Sequence, residues 1–250
     1  GNSSTIFVIS PNLNSSIQGF NIFYNEEAAP GLVHPVEFFY AVNGTVRDVY
    51  ILNSCPFGYR GNGIREYKSL GTTVENCYVA DPKYFAAGEG YGFGCYYSVQ
   101  SKWNNNYARG CRHGFLWQGS TNSLCNNAQA IGCRISSFEA HGHNEIGLTL
   151  SNYKAVNTHL VTGDSAGHTA VKLLGGQNIF VANGVIVGFN RNTADTALYI
   201  EPPASNVQVT SLTIDRCYTG VTFRENPGSP ATTAVDVVLS NMKISNCTSA

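Results

Sequence analysis

The sequence predicts an all-β fold, a right-handed parallel β-helix with about 22 to 23 residues per coil. Three observations support this prediction: a composition poor in helix formers, short alternating apolar runs bounded by turn residues, and phrases that recur at nearly constant intervals. Both ends of the sequence lie within repeat-like segments that have no polar cap. We therefore expect residues 1–250 to form one solenoid domain that is a fragment of a longer chain.

The composition excludes several classes of protein. Only 12% of the residues are charged, about half the usual share of roughly 25%, while 43% are apolar and the net charge is -1. Disordered chains combine low hydrophobicity with high net charge, and nucleic-acid-binding domains carry a basic field. No apolar stretch reaches the roughly 18 residues that a membrane span needs. We expect a folded β domain that neither binds nucleic acid nor inserts into a membrane.

The strands themselves are short. Runs such as residues 46–52 alternate apolar and polar side chains and end at Asn, Gly or Ser, which is typical of strands separated by turns. A β-sandwich also has closely spaced turns, but it would not repeat a cysteine at a fixed interval of about 22 residues. Leucine-rich repeats require Leu at fixed offsets, which this chain lacks. The solenoid is the remaining interpretation.

Two recurring phrases define the coil. A strand followed by a turn and a cysteine ends at Cys55, Cys77, Cys111, Cys133, Cys217 and Cys247. The step from the first of these to the second equals the step from the third to the fourth, at about 22 residues. A second set of equivalent positions, separated by steps of roughly 22 to 33 residues, is Phe93, Phe115, Phe138, Val171, Leu198 and Val221. The longer steps predict loops between strands. Because equivalent residues stack on successive coils, we expect a buried column of free thiols rather than disulfides or a zinc site.

If the repeated apolar positions face inward, the residues between them form one outer surface that runs across the coils. The predicted rows of this surface are Gly94 and Tyr96, Leu116 and Gln118, Glu139 and His141, Lys172 and Leu174, Tyr199 and Glu201, and Thr222 and Arg224. Two further polar pairs directly precede strands, namely Arg112 with His113 and Asp164 with His168. The middle coils therefore carry most of the ionisable side chains.

The densest polar cluster is the segment SSFEAHGHNE, in which Glu139, His141 and His143 occupy alternate positions. Cleavage of a sugar or phosphodiester bond needs a proton donor, a proton acceptor and a cation near the developing negative charge. Glu139, either His141 or His113, and Arg112 supply these groups on adjacent coils, about 4.8 Å apart. Two other interpretations stay open: Glu139 as a solvated surface carboxylate, and a His-carboxylate metal site, for which a fourth ligand is not evident.

An aromatic-rich stretch lies just before this cluster. It contains Tyr91, Tyr96, Tyr97, Trp103 and Tyr107 among Gly and Asn residues. Stacking of these rings on sugars and packing of them in the core are both compatible with the sequence.

The segments TTVENC, KISNC, GCRHGF and SSFEAHGHNEIGLTLSN resemble the pectate-lyase-like β-helix of bacteriophage tail spikes and pre-neck appendage proteins. The more specific part is the Arg-His pair followed about one coil later by an acidic residue-x-His. The resemblance implies a homotrimer on the virion tail that binds, and usually depolymerises, a polysaccharide or teichoic acid at the bacterial surface. It carries over Arg112, His113, Glu139 and His141 as site residues.

We therefore predict a hydrolase of a bacterial surface polymer, of glycosidase or phosphodiesterase type, with Glu139 and a histidine as the acid/base pair. No cofactor and no metal are expected, since the clustered Asp residues of a calcium-dependent lyase are lacking on the groove face. The alternatives are a receptor-binding β-helix without catalysis and a lyase that acts by β-elimination. The predicted catalytic residues are Glu139, His141, His113 and Arg112, and the predicted substrate contacts are Lys172, Tyr199, Glu201, Arg224, Tyr96, Gln118, Asp164 and His168.

Overall fold

The computed structural model of the chain describes residues 7–9, 13–24, 34–53, 61–82, 89–157, 167–224 and 235–249. Within these ranges the regular elements are β-strands. In chain order they are β1 (Phe7–Ile9), β2 (Ser16–Gln18), β3 (Asn21–Tyr24), β4 (Val36–Phe39), β5 (Thr45–Arg47), β6 (Tyr50–Asn53), β7 (Asn62–Tyr67), β8 (Thr73–Glu75), β9 (Tyr78–Ala80), β10 (Tyr91–Tyr96), β11 (Lys102–Asn104), β12 (Tyr107–Arg109), β13 (His113–Gln118), β14 (Leu124–Asn126), β15 (Gln129–Ile131), β16 (Ser136–Ile146), β17 (Thr149–Ser151), β18 (Lys154–Val156), β19 (Thr169–Ala182), β20 (Val185–Val187), β21 (Thr196–Thr210), β22 (Thr213–Asp215), β23 (Thr219–Phe223), β24 (Val235–Ser240) and β25 (Lys243–Ser245).

The strands stack in parallel on three faces, so the predicted right-handed parallel β-helix is confirmed. The first face runs through β1, β4, β7, β10, β13, β16, β19, β21 and β23, and the second through β2, β5, β8, β11, β14, β17, β19, β21 and β24. The third face runs from β3 through β6, β9, β12, β15, β18, β20 and β22 to β25. The long strands β19 and β21 continue around a corner and serve two faces. Across the described ranges there is no helix with the length and hydropathy of a membrane span.

The predicted repeat positions are true structural equivalents. In the register of the first face Phe93 pairs with Phe115, which pairs with Phe138, and the same line continues through Val171 and Leu198 to Val221. The three phenylalanine rings are buried and stack along the axis, with centroids 4.7 Å and 5.0 Å apart. Each buried ring contributes about 1.5 to 3 kcal/mol, so this column both fixes the register and stabilises the coil.

The cysteine positions are equivalent only in part. Cys111 and Cys133 follow the paired strands β12 and β15, so the step between them is one coil. Cys77 instead precedes β9, at a different corner, and β9 pairs with β6 through Tyr78 and Tyr50, a longer step than that between the cysteines. The spacing between Cys55, which lies outside the described residues, and Cys77 is therefore no coil repeat. Both corners place a small side chain inward after a tight turn, which is why one sequence phrase marks two positions. The described cysteines are free thiols.

The corner between the second and third faces is built mainly from asparagines. Asp48, Asn76, Asn105 and Asn127 all have φ between 52° and 55°, the left-handed region that Asn adopts more readily than most residues. Their side chains form a ladder, in which each amide donates to the oxygen of the preceding coil at 2.7 to 3.2 Å. This ladder satisfies the turn amides and repeats the same geometry from coil to coil.

The first face departs from simple alternation where β13 begins. A Cβ at Gly114 would meet Ala130 and Cys133 inside the solenoid, and Phe115 is also buried. Because two successive residues face inward, His113 is directed to the same outer face as Leu116. The chain thus brings His113 beside the residues of β16 that sit one coil further on.

Candidate functional site

Glu139 lies at the centre of a polar cluster on the outer face. Its Oε2 accepts a hydrogen bond from Ser136 Oγ at 2.6 Å and lies 2.8 Å from His113 Nδ1. Its Oε1 lies 2.6 Å from His141 Nδ1 and 3.7 Å from Lys172 Nζ. The structure therefore brings together four side chains that the sequence predicted for the site, and it adds Ser136.

The alternative interpretation of Glu139 as a solvated surface carboxylate is wrong, because its side chain is 0% exposed. The outward direction is correct, since Glu139 pairs across the face with Leu116 on one side and Lys172 on the other. Lys172, Ser136 and the two histidines surround the carboxylate. Alternation predicts the face on which a side chain lies, but it does not reveal what lies over it.

The partners of Glu139 keep it ionised despite its burial. Burial alone would raise the pKa of the carboxyl group. Hydrogen bonds from His113 and His141, together with the positive charge of Lys172, outweigh that effect and hold the pKa of Glu139 well below 4.5. Glu139 is thus a fixed negative charge rather than a group that exchanges protons with a substrate.

His141 is more exposed than Glu139, His113 and Lys172, so it is the member of these four best placed to reach a substrate. Its side chain is 44% exposed, whereas that of His113 is 4% exposed. Since Nδ1 of His141 donates to Glu139, the ring is oriented with Nε2 directed away from the carboxylate. A histidine held in this way by a buried carboxylate is an arrangement used for general acid/base catalysis.

His113 and Arg112 form the inner side of the cluster. Arg112 Nη1 donates to the hydroxyl of Tyr91 at 2.8 Å and lies 3.0 Å from His113 Nε2. Because an arginine can only donate, Nε2 of His113 is the acceptor and Nδ1 carries the proton toward Glu139. Burial, with Arg112 and Lys172 nearby, lowers the pKa of His113. His113 is therefore a neutral donor that orients Glu139.

The strand of the cluster is irregular next to His141. The pairing of β16 with β19 shifts register between Ala140 and His143, and Gly142 has a φ of 107°. A bulge of this kind commonly re-aims side chains beside active sites. The side chain of Gln118, predicted to contact substrate, lies next to this bulge, since a Cβ at Gly142 would be 3.8 Å from Gln118 Cγ.

The predicted substrate contacts continue along the face on both sides. Tyr199 pairs with Lys172 one coil further on, and its hydroxyl donates to Glu201 Oε2 at 3.3 Å. Arg224 is exposed at the end of β23. In the other direction Tyr96 pairs with Gln118, and its hydroxyl donates to Asn62 Oδ1 at 3.0 Å. These residues line the same outer face as His141.

Two predicted residues do not join this group. His168 is buried and contacts Asp195, whose Oδ1 accepts from the His168 amide at 2.9 Å and lies 3.2 Å from Nδ1. This pair secures the turn around residues 191–195, because the other Asp195 oxygen accepts from the amide of Arg191. The structure thus gives His168 a structural role. Asp164 lies outside the described residues.

The aromatic stretch of the sequence does not form one surface. Trp103 is in the core, 5.0 Å from the ring of Trp117, and Tyr91 packs edge-on against His113. Tyr107 stacks on Tyr78 on the third face. Only Tyr97 of this stretch is strongly exposed beside the first face. Residues that are close in the sequence thus belong to different faces of one coil.

Sequence reasoning missed two groups at the site. Ser136 could have been found, because it stands one coil after His113 and therefore on the same outer line. Glu145 is fully buried at the end of the bulge, where the amide of Gly119 donates to its Oε1 at 2.9 Å and its Oε2 has no partner among the described residues. Burial raises the pKa of Glu145 to about 7, and no pattern in the sequence indicates it.

The described part of the chain contains no group of three or more His, Cys, Asp or Glu residues placed to hold a metal ion. The side chain of His143 is not among those the structure describes. The polar side chains that the structure describes at the site include His141, its carboxylate partner and the two nearby cations, Arg112 and Lys172.

Solved structures share this architecture. PfbA, a surface adhesin of Streptococcus pneumoniae, aligns with a TM-score of 0.58 at 10% identity over 99% of this chain and 71% of its own. The family 28 exopolygalacturonase of Yersinia enterocolitica aligns with a TM-score of 0.50 at 12% identity over 93% and 46% of the two chains. The catalytic domain of a GH87 α-1,3-glucanase aligns with a TM-score of 0.47 at 14% identity over 93% and 53%.

At these identities the likeness shows the fold alone, a parallel β-helix. The chain spans about half the length of the glucanase domain and of the exopolygalacturonase. No family model and no curated protein matches the sequence. Kinship with phage tail spikes stays a prediction.

Proposed function

We propose that the protein hydrolyses a bacterial cell-surface polymer, with His141 as the group that takes a proton from the attacking water. The observation that carries this proposal is the 2.6 Å contact between His141 Nδ1 and Glu139 Oε1, in a pair of which the histidine is 44% exposed and the carboxylate 0% exposed. The pairing leaves Nε2 of His141 for the substrate side.

The members of the cluster have different tasks in this reaction. Glu139 is a positioning residue that fixes the tautomer of His141 and stabilises its charged form after proton transfer. When the scissile bond breaks, the leaving oxygen takes up the proton that His141 received from the water, so that one water is consumed and the histidine returns to its neutral form. Lys172 and Arg112 supply positive charge close to the position where negative charge develops.

The charge of the outer face favours an anionic polymer. Lys172 and Arg112 flank the Glu139–His141 pair, and Arg224 is exposed further along the same face. A polysaccharide with carboxylate groups and a teichoic acid with phosphate groups both suit such cations. Hydrolysis of the first releases reducing sugar ends, and hydrolysis of the second releases phosphomonoesters.

From the sequence resemblance we further propose that the full protein is a homotrimeric tail spike or appendage of a virion, acting outside the bacterial cell. The proposal rests on the segments around Arg112 and Glu139. Light scattering on the full-length protein tests it, with a trimer expected. A clean monomer of the full-length protein contradicts the tail-spike role without affecting the assignment of His141.

A groove that binds glycans without cleaving them is the second candidate. The burial of Glu139 favours this candidate. A two-carboxylate glycosidase site needs two acids at the scissile bond, and a buried carboxylate is not open to that bond. Cleavage by β-elimination is the third, with His141 as the base and Lys172 neutralising a substrate carboxylate. Elimination differs from hydrolysis in leaving an unsaturated product that absorbs in the ultraviolet.

The test uses a panel of purified capsular polysaccharides and teichoic acids, with the parent and His141→Ala. Reducing ends, phosphomonoesters and ultraviolet absorbance are followed on the same samples. We expect hydrolysis products without new absorbance, and a loss of turnover of roughly 100-fold or more in His141→Ala while polymer binding persists. Gln129→Ala, an exposed change on the third face, is the control that should behave as the parent.

Each of the other outcomes selects a different conclusion. Equal turnover by His141→Ala and the parent refutes the role of His141. New ultraviolet absorbance that depends on His141 identifies a lyase. Binding of a polymer without any product identifies a receptor-binding groove.

A further inference from the structure

A cluster of aromatic rings lies at the corner between the first and second faces, on the earlier coils. We call Phe39, Tyr40, Tyr67, Lys68 and Tyr97 the aromatic patch. Phe39 and Tyr67 stack with centroids 5.5 Å apart and planes at 8°. Tyr40 and Tyr97 each meet Tyr67 edge-on, at 6.2 Å and 6.1 Å. The rings thus form one continuous apolar surface across three coils.

Three members of the aromatic patch sit in an unfavourable backbone conformation. Tyr40, Lys68 and Tyr97 have φ values of 55°, 49° and 53°, in the left-handed region that disfavours side chains of this size. The next corner of the same coils uses Asn76 and Asn105 at the corresponding conformation. Strain of this kind is commonly stored at functional sites.

The strained side chains are exposed, and one of them, Lys68, lies beside two rings of the aromatic patch. Tyr40 is 43% exposed and Tyr97 is 48% exposed. Lys68 Nζ lies 5.1 Å from the ring centroid of Tyr67 and 5.7 Å from that of Tyr40. Arg65 Cζ lies 4.7 Å from the centroid of Tyr67, but its charge is paired with Glu37 Oε1 at 2.6 Å, so among the described residues the unpaired positive charge of the aromatic patch is that of Lys68. The aromatic patch therefore combines open ring surface with positive charge.

The aromatic patch is continuous with the candidate site. Phe39 pairs with Tyr67, Tyr67 pairs with Tyr96, and Tyr96 pairs with Gln118, which lies next to the bulge at Gly142. Three strand spacings separate Tyr67 from the strand of His141, a distance of roughly 14 Å. A polymer lying across the coils at His141 thus reaches the aromatic patch.

We propose that the aromatic patch is a binding site for an acidic polysaccharide, which stacks a sugar ring on Tyr40 or Tyr97 and places a carboxylate near Lys68. Flat sugar faces pack on aromatic rings, and the adjacent cation pairs with the acid. A polyol phosphate backbone offers the charge without the rings, so we commit to the polysaccharide. The proposal adds a site to the proposed function and does not depend on cleavage.

The experiment is affinity electrophoresis in gels containing alginate, hyaluronate, polygalacturonate, dextran or glycerol-phosphate teichoic acid. The double variant Tyr40→Asn/Tyr97→Asn removes both exposed rings and introduces residues that accept the left-handed conformation. Lys68→Asn removes the cation and likewise introduces a residue that accepts the left-handed conformation. Gln129→Ala is the control. Unfolding midpoints of all four proteins are measured in parallel, and light scattering reports their oligomeric state.

We expect at least one acidic polysaccharide to retard the parent and Gln129→Ala, and the double variant to bind about tenfold more weakly or worse. Lys68→Asn should weaken binding of acidic polymers and leave binding of dextran unchanged. The unfolding midpoint of the double variant should be equal to or higher than that of the parent, because backbone strain is relieved. These results hold whether or not His141 catalyses hydrolysis, which separates this proposal from the proposed function.

Four results overturn the proposal. The first is that none of the acidic polysaccharides retards the parent, and the second is that the double variant is retarded equally. The third is tighter retardation by the teichoic acid than by any polysaccharide. The fourth is a change of oligomeric state in the double variant with unchanged glycan binding, which makes the aromatic patch a contact between copies of the chain.

Discussion

Two buried glutamates lie on opposite sides of the same sheet. Glu66 points into the solenoid, where Oε1 accepts from Trp103 Nε1 at 2.6 Å and Oε2 accepts from Thr72 Oγ1 at 2.6 Å and from Ser101 Oγ. Glu139 points outward and meets two histidines and Lys172. Both side chains are almost completely buried. The two regions differ in the charge of what surrounds the carboxyl group.

The pKa values of the two groups move in opposite directions. Burial raises the pKa of Glu66, because its donors are uncharged and only partly offset the loss of water. Burial acts on Glu139 as well, but the histidines and Lys172 hold its pKa well below 4.5. Burial by itself therefore does not decide the charge of a carboxyl group in this solenoid. The interior keeps Glu66 as a structural hydrogen-bond acceptor, and the outer face keeps Glu139 ionised for His141.

The largest expected effect on stability is that of Glu66→Ala. The substitution leaves a cavity and removes the acceptor of Thr72, Ser101 and Trp103, so we expect a loss of about 4 to 5 kcal/mol in the free energy of unfolding. Glu66→Gln keeps the shape and one acceptor and should lose less than half of that. Denaturant unfolding of the three proteins measures both values. Equal losses in the two variants would contradict the hydrogen-bond assignment.

Glu139→Gln is expected to lose about 3 to 4 kcal/mol, since it leaves His113 and Lys172 without the buried charge that they surround. The loss should be present at neutral pH and should shrink in acid. The reason is that the lowered pKa of Glu139 contributes stability above its unfolded value of 4.5, and this contribution is lost as the pH falls. Urea unfolding at pH 7 and in acid checks both parts. A change of less than about 1 kcal/mol at pH 7 would show that Glu139 is not held as the structure indicates.

The sequence was sufficient to predict the coil and several of the residues that form the site. The same core position on successive coils needs a side chain of similar volume, which explains the recurrence of Phe93, Phe115 and Phe138. The spacing of these core residues therefore indicates the coil period. Glu139 and His141 were found because alternation gives the face of each residue. Two-residue spacing carries that information for any strand.

The rest of the site depends on neighbours from other coils. His113 and Lys172 contact the Glu139 carboxylate, and neither is close to it in the sequence. The two inward residues at Gly114 and Phe115, which direct His113 outward, result from close backbone contact inside the solenoid. The local sequence pattern does not indicate these contacts. The recurring strand, turn and cysteine phrase wrongly suggested equivalent positions throughout the chain. The reason is related, because two different corners of the coil favour the same local sequence.

Glu145 extends the comparison of buried glutamates with a pH test, because it is a buried acid for which the described part of the chain shows no ion pair. Its pKa is raised from 4.5 to about 7, so its ionisation in the folded state is unfavourable. This penalty is absent below about pH 4.5, grows as the pH rises toward 7, and is constant above it. We expect the parent to lose about 2 to 3 kcal/mol over that range relative to Glu145→Gln, measured by urea unfolding at a series of pH values. Parallel pH profiles of the two proteins would contradict the assignment, whereas Glu66, present in both, cancels from the difference.

The smallest expected effect on stability is that of His141→Ala. It tests the contrast between the buried Glu139 and the exposed His141. The side chain of His141 is 44% exposed, so its removal uncovers little apolar area and breaks one hydrogen bond to Glu139. Ser136, His113 and Lys172 remain around the carboxylate and keep it satisfied. We therefore expect a change below about 1 kcal/mol in the free energy of unfolding, as is usual for exposed positions. Urea unfolding at pH 7 measures it beside Glu139→Gln. A loss as large as that of Glu139→Gln would mean that His141 is part of the structural support of the carboxylate, and its loss of turnover could then no longer be assigned to proton transfer.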